Sequence, residues 1–282
     1  MTTPIDAFTC AALDAGRAIL DIYHSGPTTT YKADCSPVTE ADERAEAIIL
    51  DALRQASPDI PVVAEEAAAA GGVPDIAGGR FILVDPLDGT KEFIDRRDEF
   101  TVNIALIEDG VPVVGVVYAP ALGVAYAGDK SGACRLAISE DFVVNRREPI
   151  FVRPVPPAPV AVASRSHNTP ETDRFLNDHA ISDVCSIGSS LKFCLVAEGR
   201  ADVYPRFGRT MEWDTAAGDA VLRAAGGATL TLDGRLLTYG KVRQTGDADF
   251  ANPSFVAWGG SGRRPVAPHG RKEMRNKIPT AL

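Results

Sequence analysis

Apolar residues recur at helical spacing over residues 5–24 and again over 39–56, where Ile48, Ile49, Ala52 and Leu53 fall on one face. Thr39 with Asp42 three residues later forms a capping-box pattern, and Pro37 and Pro58 bracket this second helix. The pattern then changes. Short apolar runs predict strands over 61–65, 81–85, 101–108, 111–118 and 124–128, joined by Asp-Gly and Pro-containing turns, so the first half reads as two helices followed by an antiparallel meander. Pro154, Pro156, Pro157 and Pro159 crowd a predicted linker at 149–159. Beyond it the pattern alternates: strands over 160–163, 183–187 and 201–204, and helices over 170–181, 189–198 and 214–225. An α+β half is thus followed by an α/β half, which predicts an N-terminal domain at 1–150, a C-terminal domain at 160–260 and a tail at 261–282.

The 282-residue length exceeds that of a single small core, and 45 % hydrophobic with 24 % charged residues is an ordinary globular balance. No apolar run approaches the roughly 20 residues that span a bilayer, and Met1-Thr2-Thr3-Pro4 does not open a signal peptide, so a cytoplasmic protein is expected. Cys10, Cys35, Cys134, Cys185 and Cys194 are odd in number and lack a Cys-x-x-Cys pair, which argues against a disulfide frame or zinc site. The net charge of −9 is uneven: from Ser261 onward six basic residues face only Glu273, a local +5 that leaves the body at −14. An acidic body excludes a nucleic-acid-coating surface and suits divalent cations. The Gly- and Pro-rich tail reads as mostly disordered, with a charge suited to weak contact with acidic lipids or RNA, and hence to a peripheral position on the inner membrane.

Candidate chemistry concentrates at Asp85-Pro86-Leu87-Asp88-Gly89-Thr90, where a predicted strand runs into Asp85 and Pro86 interrupts it. Hard oxygen donors followed by Gly-Thr amides suit a Mg²⁺ with a phosphate beside it. An acidic surface turn would explain this segment as well if it stood alone, and the helix dipole would account for Asp42 or Asp214 taken singly. Glu65 and Glu66, however, end a further predicted strand, and Asp214 follows Glu212-Trp213 at a predicted helix start.

Ser36-Pro37-Val38-Thr39-Glu40-Ala41-Asp42, the Glu65-Glu66 pair, Asp85-Pro86-Leu87-Asp88-Gly89-Thr90 and Trp213-Asp214-Thr215-Ala216-Ala217-Gly218 together resemble, in order and spacing, the Mg²⁺-dependent, lithium-sensitive inositol monophosphatase superfamily. The likeness covers roughly residues 5–258. It implies a layered αβαβα sandwich and two or three Mg²⁺ ions held by Glu65, Asp85, Asp88, Asp214 and the Leu87 carbonyl. It further implies that Asp42 and Thr90 orient and deprotonate the attacking water, and that the Gly89 and Thr90 amides meet the phosphate. Phosphate-ester hydrolysis needs this combination of neutralised charge and an activated in-line water.

The strings Asp88-Gly89-Thr90-Lys91-Glu92-Phe93, Glu99-Phe100-Thr101-Val102-Asn103-Ile104, Ser164-Arg165-Ser166-His167, Gly188-Ser189-Ser190-Leu191-Lys192-Phe193 and Tyr204-Pro205-Arg206-Phe207 resemble the 3′(2′),5′-bisphosphate nucleotidase branch. That branch implies removal of the 3′-phosphate of adenosine 3′,5′-bisphosphate, and of its sulfated form, in sulfur assimilation. His167, Ser189, Lys192 and Arg206 would then contact the nucleotide alongside Glu65, Leu87, Asp88, Gly89, Thr90 and Asp214. The resemblance to inositol monophosphatases implies a carboxylate for the sugar hydroxyls shortly before the final metal Asp, but residues 205–211 contain no acid and carry Arg206, a departure that favours an anionic leaving group over a neutral polyol. A small-molecule nucleotide, and no stable nucleic-acid partner, is therefore expected. The competing readings are an inositol-1-phosphate phosphatase of the same superfamily and a non-catalytic nucleotide or RNA binder.

Overall fold

The computed structural model describes residues 3–26, 29–31, 37–163 and 169–260. Ser36, the 164–167 string with His167, Cys35 and the basic tail lie outside them. The N-terminal half opens with α1 (Pro4–Ser25), a small antiparallel pair β1 (Thr29–Tyr31) and β2 (Pro37–Thr39), and α2 (Glu40–Ala56). A seven-stranded sheet follows in chain order: β3 (Val62–Ala64), β4 (Arg80–Asp88), β5 (Thr101–Glu108), β6 (Val111–Ala119), β7 (Val124–Asp129), β8 (Gly132–Ile138) and β9 (Val144–Ile150). The short helices α3 (Glu65–Ala69) and α4 (Thr90–Ile94) sit at the ends of β3 and β4. Only β3 runs parallel to its neighbour; the rest form the predicted meander, extended by two strands that the sequence pattern did not reveal.

Three cores define the layers. Phe8, Ile19, Ile49 and Leu53 of α1 and α2 pack against Ile82, Val84, Ile104 and Val116 on one face of the large sheet. Its other face meets a second five-stranded sheet, in the order β11 (Asp183–Ser186), β10 (Val160–Ala163), β12 (Val203–Arg206), β14 (Phe255–Trp258), β13 (Ala228–Thr231), with α6 (Leu191–Ala197) and α7 (Ala216–Ala224) between. The central cluster draws Phe81, Leu83 and Val117 from one sheet and Val162, Phe193, Val221 and Phe255 from the other half, so both halves share one core. On the far side Phe175 and Leu176 of α5 (Pro170–Asp178) cover Val203, Val256 and Trp258. The result is the αβαβα sandwich.

A pair of glycines sets how close the halves come. Gly115 and Gly128 are direct cross-strand partners on β6 and β7, and a Cβ at Gly115 would stand 2.4 Å from the Ala217 carbonyl. One at Gly128 would stand 2.8 Å from Val221 Cα. Their missing side chains form a groove into which α7 sinks, and α7 carries Asp214 just ahead of its first turn.

The predicted linker is shorter and stiffer than its prolines imply. β9 continues to Ile150, and the Val152 amide donates to the Ala225 carbonyl at 3.0 Å. Arg153 then forks onto buried Asp202 through Nε and Nη2, both at 2.8 Å. Cys10, Cys134, Cys185 and Cys194 are free thiols. Among the described residues no helix is long and apolar enough to cross a membrane.

Candidate active site

The sequence reading ends a strand at Asp85; in the structure β4 runs on to Asp88. Asp85 pairs with Asn103 and Asp88 with Thr101, and the register slips between them, so Pro86 occupies a bulge where its missing N–H costs no ladder bond. The Asp85 carboxylate accepts the Leu87 amide at 3.0 Å. Gly89 then takes φ +91°, a left-handed turn with a Cβ position only 3.3 Å from the Glu99 carbonyl, and delivers Thr90 to the start of α4.

Thr90 Oγ1 lies 3.2 Å from Asp42 Oδ1 and 3.2 Å from the Leu87 carbonyl. Asp42 divides its oxygens: Oδ2 accepts the Thr39 amide at 2.8 Å and its hydroxyl at 2.7 Å, completing the predicted capping box, while Oδ1 faces Thr90. The capping explanation and the catalytic expectation therefore describe two ends of one carboxylate. Glu65, expected at a strand end, instead opens α3 after β3 stops at Ala64. Buried Glu46 of α2 fixes that start by accepting the Glu66 and Ala67 amides, both at 2.8 Å.

Asp214 lies two residues before α7, ahead of the Thr215 N-cap, rather than beginning it. Its Oδ2 accepts the Met211 amide at 2.8 Å. Two buried residues absent from the expectations brace this loop. Asn252 Nδ2 shares its two N–H groups among Thr210 Oγ1, the Met211 carbonyl and Thr215 Oγ1 at 3.2, 2.8 and 3.0 Å. Glu212 accepts the Gly240 and Lys241 amides at 2.6 and 2.9 Å and Lys241 Nζ at 2.6 Å.

These elements surround a cavity of about 280 Å³ lined by Glu65, Asp85, Leu87, Asp88, Gly89, Thr90 and Asp214 together with Ser189, Lys192 and Arg206. Asp42 stands behind Thr90, outside the lining. Lys192 is not the solvated surface side chain that its type makes common: it is 6 % exposed, and Nζ donates to the carbonyls of Ser189 and Ile187. Ser189 has φ +50° and lies two residues before α6, where its Oγ accepts the Leu191 amide at 3.4 Å. Arg206 Nη2 reaches the Arg209 carbonyl at 3.0 Å, and its buried Nε has no partner among the described residues.

Burial raises the carboxyl pKa of Asp85 well above the usual range, and the charges of Glu65, Asp88 and Asp214 raise it further. Asp214 is raised well for the same two reasons, burial first and then Asp88 and Glu65. Asp88 is raised by burial but relieved by Lys192 and by hydrogen bonds from Ser190 and Asn103. Burial lowers Lys192 to about 8 against the pull of Asp88.

Among the described residues no three acidic, His or Cys side chains form a ready-made cation cage. The donor set nonetheless fits Mg²⁺: hard oxygens converge on one cavity, repel one another when ionised, and leave room for the waters and phosphate oxygens that this ion retains.

The family model for inositol monophosphatases matches residues 2–256. The chain belongs to the inositol monophosphatase family. Its membership places it among metal-dependent phosphatases. Within the family, the chain is 49 % identical over 246 residues to the 3′(2′),5′-bisphosphate nucleotidase CysQ of Salmonella typhimurium, covering 86 % of this chain and 95 % of that protein. It is 47 % identical over the same length and shares to CysQ of Escherichia coli K12. The crystal structure of CysQ from Bacteroides thetaiotaomicron, described as a bacterial member of the family, superposes with a TM-score of 0.71 at 40 % identity, covering 90 % of this chain and 96 % of that one.

Proposed function

We propose that this chain is a Mg²⁺-dependent 3′(2′),5′-bisphosphate nucleotidase that converts adenosine 3′,5′-bisphosphate to AMP and phosphate. The observation that carries the reading is that Lys192 and Arg206 line the same small cavity as the carboxylates. A substrate with two phosphates needs both: one phosphate reacts at the oxygen donors while the other is neutralised by fixed cations. The nucleotidase relatives support the same choice. The sulfated form of the nucleotide carries the same 3′-phosphate and falls in the same substrate class.

Glu65, Asp85, Asp88, Asp214 and the Leu87 carbonyl would hold two or three Mg²⁺ ions, which supply positive charge for the phosphoryl oxygens. Thr90 Oγ1 is placed to take a proton from the attacking water while passing its own to Asp42 Oδ1, 3.2 Å away. Asp42 keeps its orientation through that exchange because Oδ2 is held by Thr39. The Gly89 and Thr90 amides border the same space and would receive the phosphate. Arg206 would fork onto the 5′-phosphate, with Lys192 and the Ser189 hydroxyl beside it, and His167, outside the described residues, would serve the adenine or ribose.

Phosphate release from adenosine 3′,5′-bisphosphate, inositol 1-phosphate and fructose 1,6-bisphosphate, compared at equal Mg²⁺, tests the reading. It predicts the nucleotide to have the highest kcat/KM by at least about tenfold, the effect of one charge-assisted contact. A preference for either sugar ester would overturn it.

A further inference from the structure

The string from Glu99 to Ile104 accompanies the family motifs, yet none of the roles above uses it. In the structure it stitches the two halves together beside the acids. Glu99 Oε2 accepts the Gly188 amide at 2.8 Å, and Gly188 packs so tightly that a Cβ there would stand 2.8 Å from the Glu99 carbonyl. Two residues of strand further on from Thr101, Asn103 is 1 % exposed in the middle of an apolar run. Its Nδ2 lies 3.3 Å from Asp88 Oδ2 and 3.0 Å from Ser190 Oγ. Ser190 Oγ in turn donates to the Asp214 main-chain carbonyl at 2.6 Å.

A carboxylate only accepts, so the amide turns Nδ2, and not its oxygen, toward Asp88 and Ser190, while the single Ser190 proton has both the Asp214 carbonyl and the Asp88 carboxylate within reach. Turning the amide over would set its oxygen against the carboxylate. Asn103 Oδ1 accordingly finds no partner among the described residues. A buried acceptor left unpaired is costly, and a Leu or Val would pack in this strand without that cost.

We infer that Asn103, acting through Ser190, is a positioning residue that fixes Asp88 of the first half and the Asp214 segment of the second in mutual register, so that carboxylates from the two halves can share cations. The inference rests on the reading that Asp88 and Asp214 are metal ligands. Asn103 touches neither substrate nor the reacting atoms; it sets the rotamer of Asp88 and the place of the loop bearing Asp214.

Binding of Mn²⁺ alone to the full chain, followed by the loss of the free-ion paramagnetic resonance signal, tests this without turnover. Asn103→Leu and Ser190→Ala should each weaken binding about tenfold, the lower end of the effect seen when partners of metal ligands are removed. The double variant should bind within about twofold of the weaker single one, because either change breaks the same relay. Thermal unfolding of Ser190→Ala should stay within a few degrees of the parent. Affinities within twofold of the parent for both single variants, or losses that multiply in the double variant, would overturn the inference. Should Asn103→Leu fail to fold, Ser190→Ala decides alone: tenfold weaker binding supports the relay and unchanged binding refutes it. Asp88→Asn serves as the reference; if it binds Mn²⁺ like the parent, the ligand reading itself fails, and the relay falls with it.

Discussion

The two walls of the cavity are built in opposite ways. The acidic wall comes largely from six consecutive residues, Asp85 to Thr90, turned by one bulge and one left-handed glycine. The cationic wall is assembled from Lys192 on α6 and Arg206 at the end of β12, which meet the acids only because α7 and its neighbours dock on the large sheet. A contiguous motif can carry reaction chemistry from fold to fold of a family, whereas recognition of the leaving group depends on how two halves are set against each other. On the proposed reading the reaction chemistry centres on one segment that Glu65 and Asp214 complete, and substrate choice rests on residues that only the tertiary fold brings there.

Breaking the acidic wall should cost most. Thr90→Ala and Asp88→Asn are expected to lower kcat for every substrate by at least about a hundredfold, the scale of losing general-base assistance or a charged ligand, with unfolding midpoints little changed. Near-normal turnover in steady-state assays would remove either residue from the mechanism.

On the cationic wall the effect should be smaller and should appear in KM. Lys192→Met is expected to raise KM for the bisphosphate roughly tenfold, read from initial rates. Because burial lowers the ammonium to about 8, Lys192 is charged below that pH and neutral above it. KM for the nucleotide should accordingly rise between pH 7 and 9 in the parent and stay flatter in the variant. An identical pH profile for both would show that Lys192 is not the titrating cation.

The seam between the walls can be probed by stability. Gly115→Ala places a Cβ within 2.4 Å of the Ala217 carbonyl and should cost about 1–3 kcal/mol, seen as a fall of several degrees in Tm. An unchanged Tm would mean that the contact between α7 and the large sheet yields easily.

How much of this the sequence discloses follows the same division. The capping box, the meander and the acids were legible because each is written in a few neighbouring residues. β9 was hidden because Arg146, Arg147 and Glu148 blunt an exposed edge with charge, erasing the alternation that marks a strand. Pro86 looked like a strand end because sequence does not show a bulge. β14 was obscured by the long irregular stretch before it, and its pairing with β12 and β13 is non-local. Asn103 and Ser190 stand in strings that resemble the nucleotidase branch, Asn252 stands in none, and only the fold shows what each one holds. Lys192 and Arg206 were found by resemblance; their burial and mutual approach belong to the folded chain.

The division into a reaction wall and a leaving-group wall is tested most directly by kcat/KM for adenosine 3′,5′-bisphosphate and for adenosine 3′-monophosphate in the parent, Arg206→Ala and Thr90→Ala. The parent should prefer the bisphosphate, Arg206→Ala should lose roughly 10- to 100-fold on the bisphosphate while changing little on the monophosphate, and Thr90→Ala should depress both equally. An Arg206→Ala variant equally impaired on both nucleotides would contradict the account.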